Sequence, residues 1–343
     1  MQTIAIAAAR RYTVGMKPAT IKDVARHAGV SVSAVSRALS GGSVSAAKKA
    51  DILRVARELG YRPSSAAQSL VRRQSHAVTL VTGRMYDTFD SQFLDCLAET
   101  LADTGRRLIV APASKQNAVS GGVYQAIDDR SDAVVISAGT MPLEASRACV
   151  RAGLRVILVG RELEERGVDS VVAANADGGR QAAELFERTG CRKPVYFGSG
   201  SESFSDRERF DGFRDYLAGH GVRTCAIRAR GLEEEAIYES ASRLLVGPDR
   251  PDAVFCGTDR LAFGVIEAAR ALRLPIPRDV SVIGFNNVRA AARRTYQLTT
   301  LDYAVDQIVE EIMTTLETRI ANPGCPPIRK RIPVGLIVRG TTR

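Results

Sequence analysis

Tryptophan is absent from this 343-residue chain, aromatic residues make up 6 % of it, and its three histidines, His27, His76 and His220, are scattered. So sparse a histidine set builds neither a metal cluster nor a histidine-based triad. No G-x-x-x-x-G-K-[ST] loop and no G-x-S-x-G elbow occurs, and Gly198-Ser199-Gly200 lacks the rest of a dinucleotide fingerprint. Catalysis therefore has little to stand on, and neither a cofactor nor a metal is expected. The six cysteines, Cys96, Cys149, Cys191, Cys225, Cys256 and Cys325, are widely spaced without a C-x-x-C pair, as free thiols of a reducing cytoplasm are. Long hydrophobic runs are missing too, so no membrane span is expected. The opening stretch MQTIAIAAARRYTVG ends in its arginines instead of beginning with them, the reverse of an export signal. Residues 1–16 are accordingly assigned to a disordered extension, and the chain to the cytoplasm.

Negative charge is scarce at one end. Residues 1–75 carry 13 of the 48 Lys and Arg but 3 of the 38 Asp and Glu, so the whole net charge of +10 lies in the first fifth of the chain. A basic module on an electrically balanced body is the charge plan of a polyanion-binding head. Within that module Ile21, Val24, Ala25 and Ala28 recur at i, i+3, i+4 and i+7, the apolar stripe of a short helix. Thr20 can cap this helix and Asp23 suits its positive end. Gly29 fits the left-handed residue that ends it. Ser31 then opens a second helix, Val32 to Leu39, with Val35, Ala38 and Leu39 inside and Val32, Ser33, Ser36 and Arg37 outside. This is the spacing of a helix-turn-helix, whose second helix lies in the DNA major groove with its early residues against base edges. A third helix, opened by Ser45 and closed by Gly60, places Ile52, Val55, Ala56 and Leu59 at the same spacing.

The motifs TIKDVA (20–25), GVS (29–31), VSRAL (35–39), LGYRP (59–63) and AQSL (67–70) resemble the lactose-repressor (LacI/GalR) family of bacterial transcription regulators, and the resemblance extends along nearly the full chain. Carried over position by position, it implies that Val32, Ser33 and Arg37 face base edges and that Ser31 and Ser36 face phosphates. Thr20, Ala67 and Leu70 complete the expected DNA-binding set. Arg37 can donate two parallel hydrogen bonds to a guanine, worth about 1–3 kcal/mol of discrimination. The chain departs from the family at Ala34, where threonine is usual, which puts one hydroxyl contact in doubt. By composition alone PSSAAQSL (63–70) is too short and polar to hold as a helix and reads as a linker. The resemblance implies instead a hinge helix that orders on the operator and wedges Leu70 into the minor groove.

From Ala77 onward short apolar strands alternate with amphipathic helices, the pattern of a parallel sheet with crossover helices. The expected strands are 78–82, 107–111, 133–137, 155–159, 195–199, 253–256 and 280–285, with helices such as 92–102, 178–189, 207–219 and 261–272 between them. A break at 174–177 in so long a segment points to two lobes. The expected fold class is thus a small all-α helix-turn-helix head plus an α/β body of two doubly wound lobes. The resemblance implies that the body is periplasmic-binding-protein-like, type I. The expected plan is a head over 17–62, a hinge helix and linker over 63–75, and an effector-binding and dimerisation body over 76–343. Lobe 1 covers about 76–174 and 301–330, lobe 2 about 175–300 and 331–343.

Ligands of doubly wound folds sit beyond the carboxyl ends of the strands. Polar and aromatic residues placed there are Asp90, Ser91, Phe93, Arg161, Ser199, Thr258, Asp259, Asn286 and Asn287. The resemblance adds Arg209 as the effector-binding arginine and Tyr303 as a further cleft residue. Where the family often has Asn-Asp and Asp-Asp, this chain has Thr258-Asp259 and Asn286-Asn287. An asparagine cannot accept two sugar hydroxyls with charge, which tilts the expected sugar-like effector toward a sugar acid or phosphosugar. The resemblance implies a homodimeric, nucleoid-associated repressor of a near-palindromic operator, controlled by that small molecule. Two other readings stay open: an exported solute-binding protein, which the body alone would fit, and a sugar-processing enzyme. Residues 20–70 speak against the first, and the missing acid/base constellation against the second.

Overall fold

The computed structural model describes residues 19–40, 42–61, 75–83, 88–113, 119–137, 143–199 and 203–343. The expected extension over 1–16, the hinge segment with Ala67 and Leu70, and Gly200 lie outside the described residues. The chain divides into two compact units, residues 1–75 and 76–343.

The first unit holds three helices, α1 (Ile21–His27), α2 (Val32–Ser40) and α3 (Ala46–Glu58). Thr20 caps α1 through a full capping box: its hydroxyl accepts from the Asp23 amide, and the Asp23 carboxylate accepts from the Thr20 amide at 2.9 Å. The α1–α2 turn passes through Gly29 at φ +61°, a conformation that L side chains rarely adopt. Ser31 opens α2 by accepting from the Ala34 amide at 3.2 Å. Ser45 stands at the head of α3, but its hydroxyl makes no capping bond. Val24, Ala25, Val35, Ala38, Ile52, Val55 and Ala56 are buried together as one small core, while Leu39 and Leu59 pack on it half-buried.

The second unit is two α/β lobes that the chain threads three times. The first pass gives β1 (Ala77–Thr82), α4 (Thr88–Asp103), β2 (Arg107–Pro112), α5 (Val119–Asp128), β3 (Ala133–Ile136), α6 (Leu143–Arg151), β4 (Arg155–Val159) and β5 (Val168–Ala173). The second gives α7 (Asn175–Arg188), β6 (Pro194–Gly198), α8 (Phe204–Gly219), β7 (Ala226–Arg228), α9 (Glu234–Leu244), β8 (Ala253–Cys256), α10 (Asp259–Ala271), β9 (Ser281–Asn286) and β10 (Thr299–Asp302). The chain then returns through α11 (Val305–Ala321) and β11 (Arg329–Ile332) and ends past β12 (Gly335–Ile337). One sheet runs β11-β5-β4-β3-β1-β2 and the other β12-β10-β9-β8-β6-β7, parallel throughout except for β12 against β10. All six residues of β1 are buried, as a parallel strand covered by helices on both faces requires.

The first crossing falls at the expected 174–175, and the second and third lie two residues beyond the approximate expected bounds. Leu301 and Asp302 complete a strand of the second sheet, and Arg331 and Ile332 complete one of the first. In the first lobe Asp169 and Arg319 form a buried ion pair. Arg319 also donates to the carbonyls of Cys325 and Pro326, and the Ile328 amide donates to Asp169 at 2.8 Å. These bonds seat the returning segment so that β11 can pair with β5. In the second lobe α7 and α8 cross at contact distance: a Cβ on Gly179 would lie 2.1 Å from the Arg209 carbonyl oxygen, and one on Gly212 would lie 1.9 Å from that of Ala176. That close crossing fixes the backbone from which Arg209 projects.

Candidate nucleic-acid interface and ligand cleft

In the first unit the buried face of α2 is taken by Val35 and Ala38, which leaves Ser31, Val32, Ser33 and Arg37 exposed and Ser36 half-buried. Val32 is 42 % exposed although apolar, a side chain suited to contact with a thymine methyl group. The Ser31 and Ser33 hydroxyls lie 3.0 Å apart at the start of the helix. Arg37 forms no ion pair among the described residues, whereas Arg26 is tied to Asp23 and Arg54 to Asp51 and Glu58. Its guanidinium is therefore presented to solvent with its fork of donors uncommitted. Thr20, expected as a DNA-binding residue, spends its hydroxyl on the α1 cap and on Asp23 at 2.7 Å.

In the second unit a cavity of roughly 320 Å³ opens between the lobes at the carboxyl ends of the strands. Eight of the eleven residues expected from the sequence line it: Asp90, Phe93, Arg161, Ser199, Arg209, Thr258, Asn286 and Tyr303. Ser91, Asp259 and Asn287 do not; Asn287 accepts from Arg339 at 2.8 Å instead. Ser91 sits one position round α4 from Asp90, on the exposed side. Asp259 is fully buried and accepts from the Thr300 hydroxyl and the Val288 amide, so its carboxylate fastens β10 and the loop after β9. The sequence reading missed Thr82, Phe89, Ser205, Leu232 and Arg260, which also line the cavity. Arg260 follows directly on the Thr258-Asp259 pair, so its place in the first turn of α10 was the signal that could have found it.

The arginine at the centre is held from three sides. Arg209 Nε donates to Asn175 Oδ1 at 2.9 Å, Nη1 donates to the Gly257 carbonyl, and the guanidinium lies 3.6 Å over the Phe285 ring. Burial pulls the Arg209 guanidinium below its ordinary value, an effect opposed by Tyr196, Tyr303, Asp206 and Asp259. Asp206 behind it accepts from the Tyr196 hydroxyl at 2.7 Å and from Arg228 at 3.1 Å, and burial raises its carboxyl above the usual range. Tyr303 stands edge-on to Phe89 at 4.8 Å, giving the cavity an aromatic wall. Two helices aim their amino termini at this space: α8, capped by Ser203, and α10, capped by Thr258. Across the cleft Ser205 Oγ donates to the Gly160 carbonyl at 2.8 Å. Among the described residues no group of His, Cys, Asp or Glu could hold a metal ion, all six cysteines are free, and no helix is long and apolar enough to cross a membrane.

Two family models match the chain: the bacterial regulatory proteins of the lacI family over residues 20–64, and the periplasmic binding protein-like domain over 183–342. It is 27 % identical over 301 residues to the probable HTH-type transcriptional repressor ExuR of Bacillus subtilis, covering 84 % of this chain and 88 % of that one. It is 24 % identical to the ribose operon repressor of Halalkalibacterium halodurans, covering 94 % and 97 %. In fold it is similar to the lac repressor dimer bound to operator and the anti-inducer ONPF, with a TM-score of 0.85 at 22 % identity over 95 % of this chain and 99 % of that one.

Proposed function

The chain belongs to the lacI family of bacterial regulatory proteins and is a transcriptional repressor with a sugar-binding effector domain, and we propose that it acts by setting α2 into the major groove of an operator under the control of the interlobe cleft. The observation that carries this is the outward face of α2, where Val32, Ser33 and Arg37, which forms no ion pair among the described residues, stand exposed on the domain that holds all of the chain's excess positive charge. Phosphate neutralisation by that charge supplies affinity, and Arg37 together with Val32 supplies base discrimination.

The operator is near-palindromic and the regulator a homodimer, in keeping with the dimeric, operator-bound lac repressor to which the fold is similar. The hinge role is proposed for residues 63–75, of which 63–74 lie outside the described residues, with Ala67 and Leu70 as its DNA contacts. In the cleft a sugar-like metabolite meets Arg209, Asp90, Ser199, Thr258, Asn286 and Tyr303. A ligand touching both lobes favours one arrangement of them over another, which is the physical requirement for control at a distance. The similarity to DNA-binding regulators supports reading the cleft as a binding site and the protein as a non-enzyme. Its target places it in the cytoplasm at the nucleoid.

Selection of bound fragments from genomic DNA by the purified full-length protein tests this reading. A recurring near-palindromic sequence is expected, and recovery of fragments with no shared sequence contradicts it.

A further inference from the structure

The charge lining the cleft is one-sided. Arg161 comes from the first lobe, Arg209 and Arg260 from the second, and Asp90 is the one carboxylate among the described lining residues. Adding the charged neighbours behind the lining, Asp206, Asp259, Arg207 and Arg228, leaves the same positive excess of two. Two helix amino termini add partial positive charge at the same place. The site for a neutral sugar needs acceptors for its hydroxyl protons, and carboxylates that accept two at once are the strong ones. Here position 286 is an asparagine, and Asp259 is spent on Thr300 and Val288. Arg161 is half-buried; burial lowers its pKa from the ordinary value, and the like charge of Arg207 lowers it further. The cavity, roughly 320 Å³, is of a size for a single sugar-sized body.

We propose that the effector is an anion, a sugar-sized molecule bearing a carboxylate or phosphate, gripped by Arg161 of one lobe and by Arg209 and Arg260 of the other. The proposal rests on the regulator reading above and names the chemistry of its effector. The charged group is shared between the lobes, and it offsets the repulsion that Arg161 of the first lobe feels from Arg207 of the second. Binding of the anion thereby favours the arrangement in which the lobes are drawn together. Asp90 accepts hydroxyl protons of the same ligand and discriminates against an anion lacking them.

Thermal-shift and calorimetric titration of the full-length protein tests this, using inorganic phosphate, D-glucuronate, D-gluconate and D-glucose 6-phosphate, with D-glucose as the neutral control. Saturable stabilisation by phosphate and by at least one charged sugar is expected, exceeding any effect of D-glucose. Arg161→Gln and Arg260→Gln should each weaken that binding by roughly tenfold or more, the size of a lost charge-assisted bond. Arg161→Lys should keep a share of it. Arg209 is left intact, since its bonds to Asn175 and Gly257 also hold the lobe together. Circular dichroism checks that each variant is folded. Equal or tighter binding of D-glucose, the absence of a saturable response to any of the anions, or a phosphate response unchanged in both glutamine variants overturns the proposal. Operator preference of the wild-type protein is measured alongside: if it persists while the anions are ignored, the anionic effector fails and the regulator reading stands. If it is absent, the regulator reading fails instead.

Discussion

The two units of this protein solve opposite problems with the same residue, arginine. In the head the buried core is seven small and medium apolar residues, and Arg37 is held out to solvent with no partner among the described residues. In the body Arg209, which lines the cleft, is 5 % exposed and held by Asn175 and the Gly257 carbonyl before any ligand arrives. An exposed, uncommitted guanidinium suits a polyanion that brings its own counter-charge and is met from water. A buried, prefixed one suits a small molecule that must be oriented inside a cleft. Whether a cation is kept free or engaged thus says what kind of partner each unit is built for.

The comparison can be broken from the body side first. Asp169→Ala leaves Arg319 as an unpaired buried charge, and about 3–5 kcal/mol of body stability should be lost. Calorimetry should show the body transition falling while a head transition, followed by its own loss of DNA binding, stays in place. From the head side, Ile52→Ala empties the centre of a core too small to absorb it and should cost about 2–5 kcal/mol. Operator binding should then disappear at moderate temperature while ligand binding to the body persists; loss of both together would mean that the units do not fold independently. Arg37→Ala touches neither core and should weaken cognate binding by about 1–3 kcal/mol and relax one base preference. An equal loss on unrelated duplexes would assign Arg37 to the phosphates.

The smallest effect is a matter of pH. The bonds from Thr20 hold the Asp23 carboxyl below its ordinary value, so the capping box contributes stability at neutral pH. Because the folded value is depressed, that contribution is full above the unfolded value and is lost as pH falls through the folded one. Asp23→Asn should therefore flatten the acid limb of the head's stability curve; an unaltered limb would mean that the box contributes nothing.

The head was legible because each of its helices announces itself twice, by an apolar stripe at helical spacing and by a cap, as at Thr20 with Asp23 and at Gly29. The body was legible where strands are buried on both faces and read as continuous apolar runs. Yet β5 and β10, buried as they are, were not among the expected strands, nor were β12, β7, three residues long, and β11, whose Arg-Lys-Arg sequence has no strand-like pattern and whose approach is seated by Asp169 and Arg319. In the cleft, several residues just past strand ends were found, but Thr82 at the end of β1 was not, and Ser205 and Arg260 were missed as well. Arg260 could have been found from its place right after Thr258-Asp259, whereas nothing in the spacing separates Ser205 from a solvated residue of the same helix turn. Asp259 erred the other way, since a carboxylate at the start of a helix looks the same in sequence whether it faces a ligand or fastens a neighbouring strand.

The most direct test of the division between a DNA-reading head and a tuning body is the affinity of the full-length protein for its selected duplex and for a scrambled duplex across a salt series. Both affinities are expected to fall linearly on logarithmic axes, as counter-ion release by a head of this charge requires, with the selected duplex preferred throughout. Affinity indifferent to salt, or no preference between the two duplexes at any salt concentration, would contradict it.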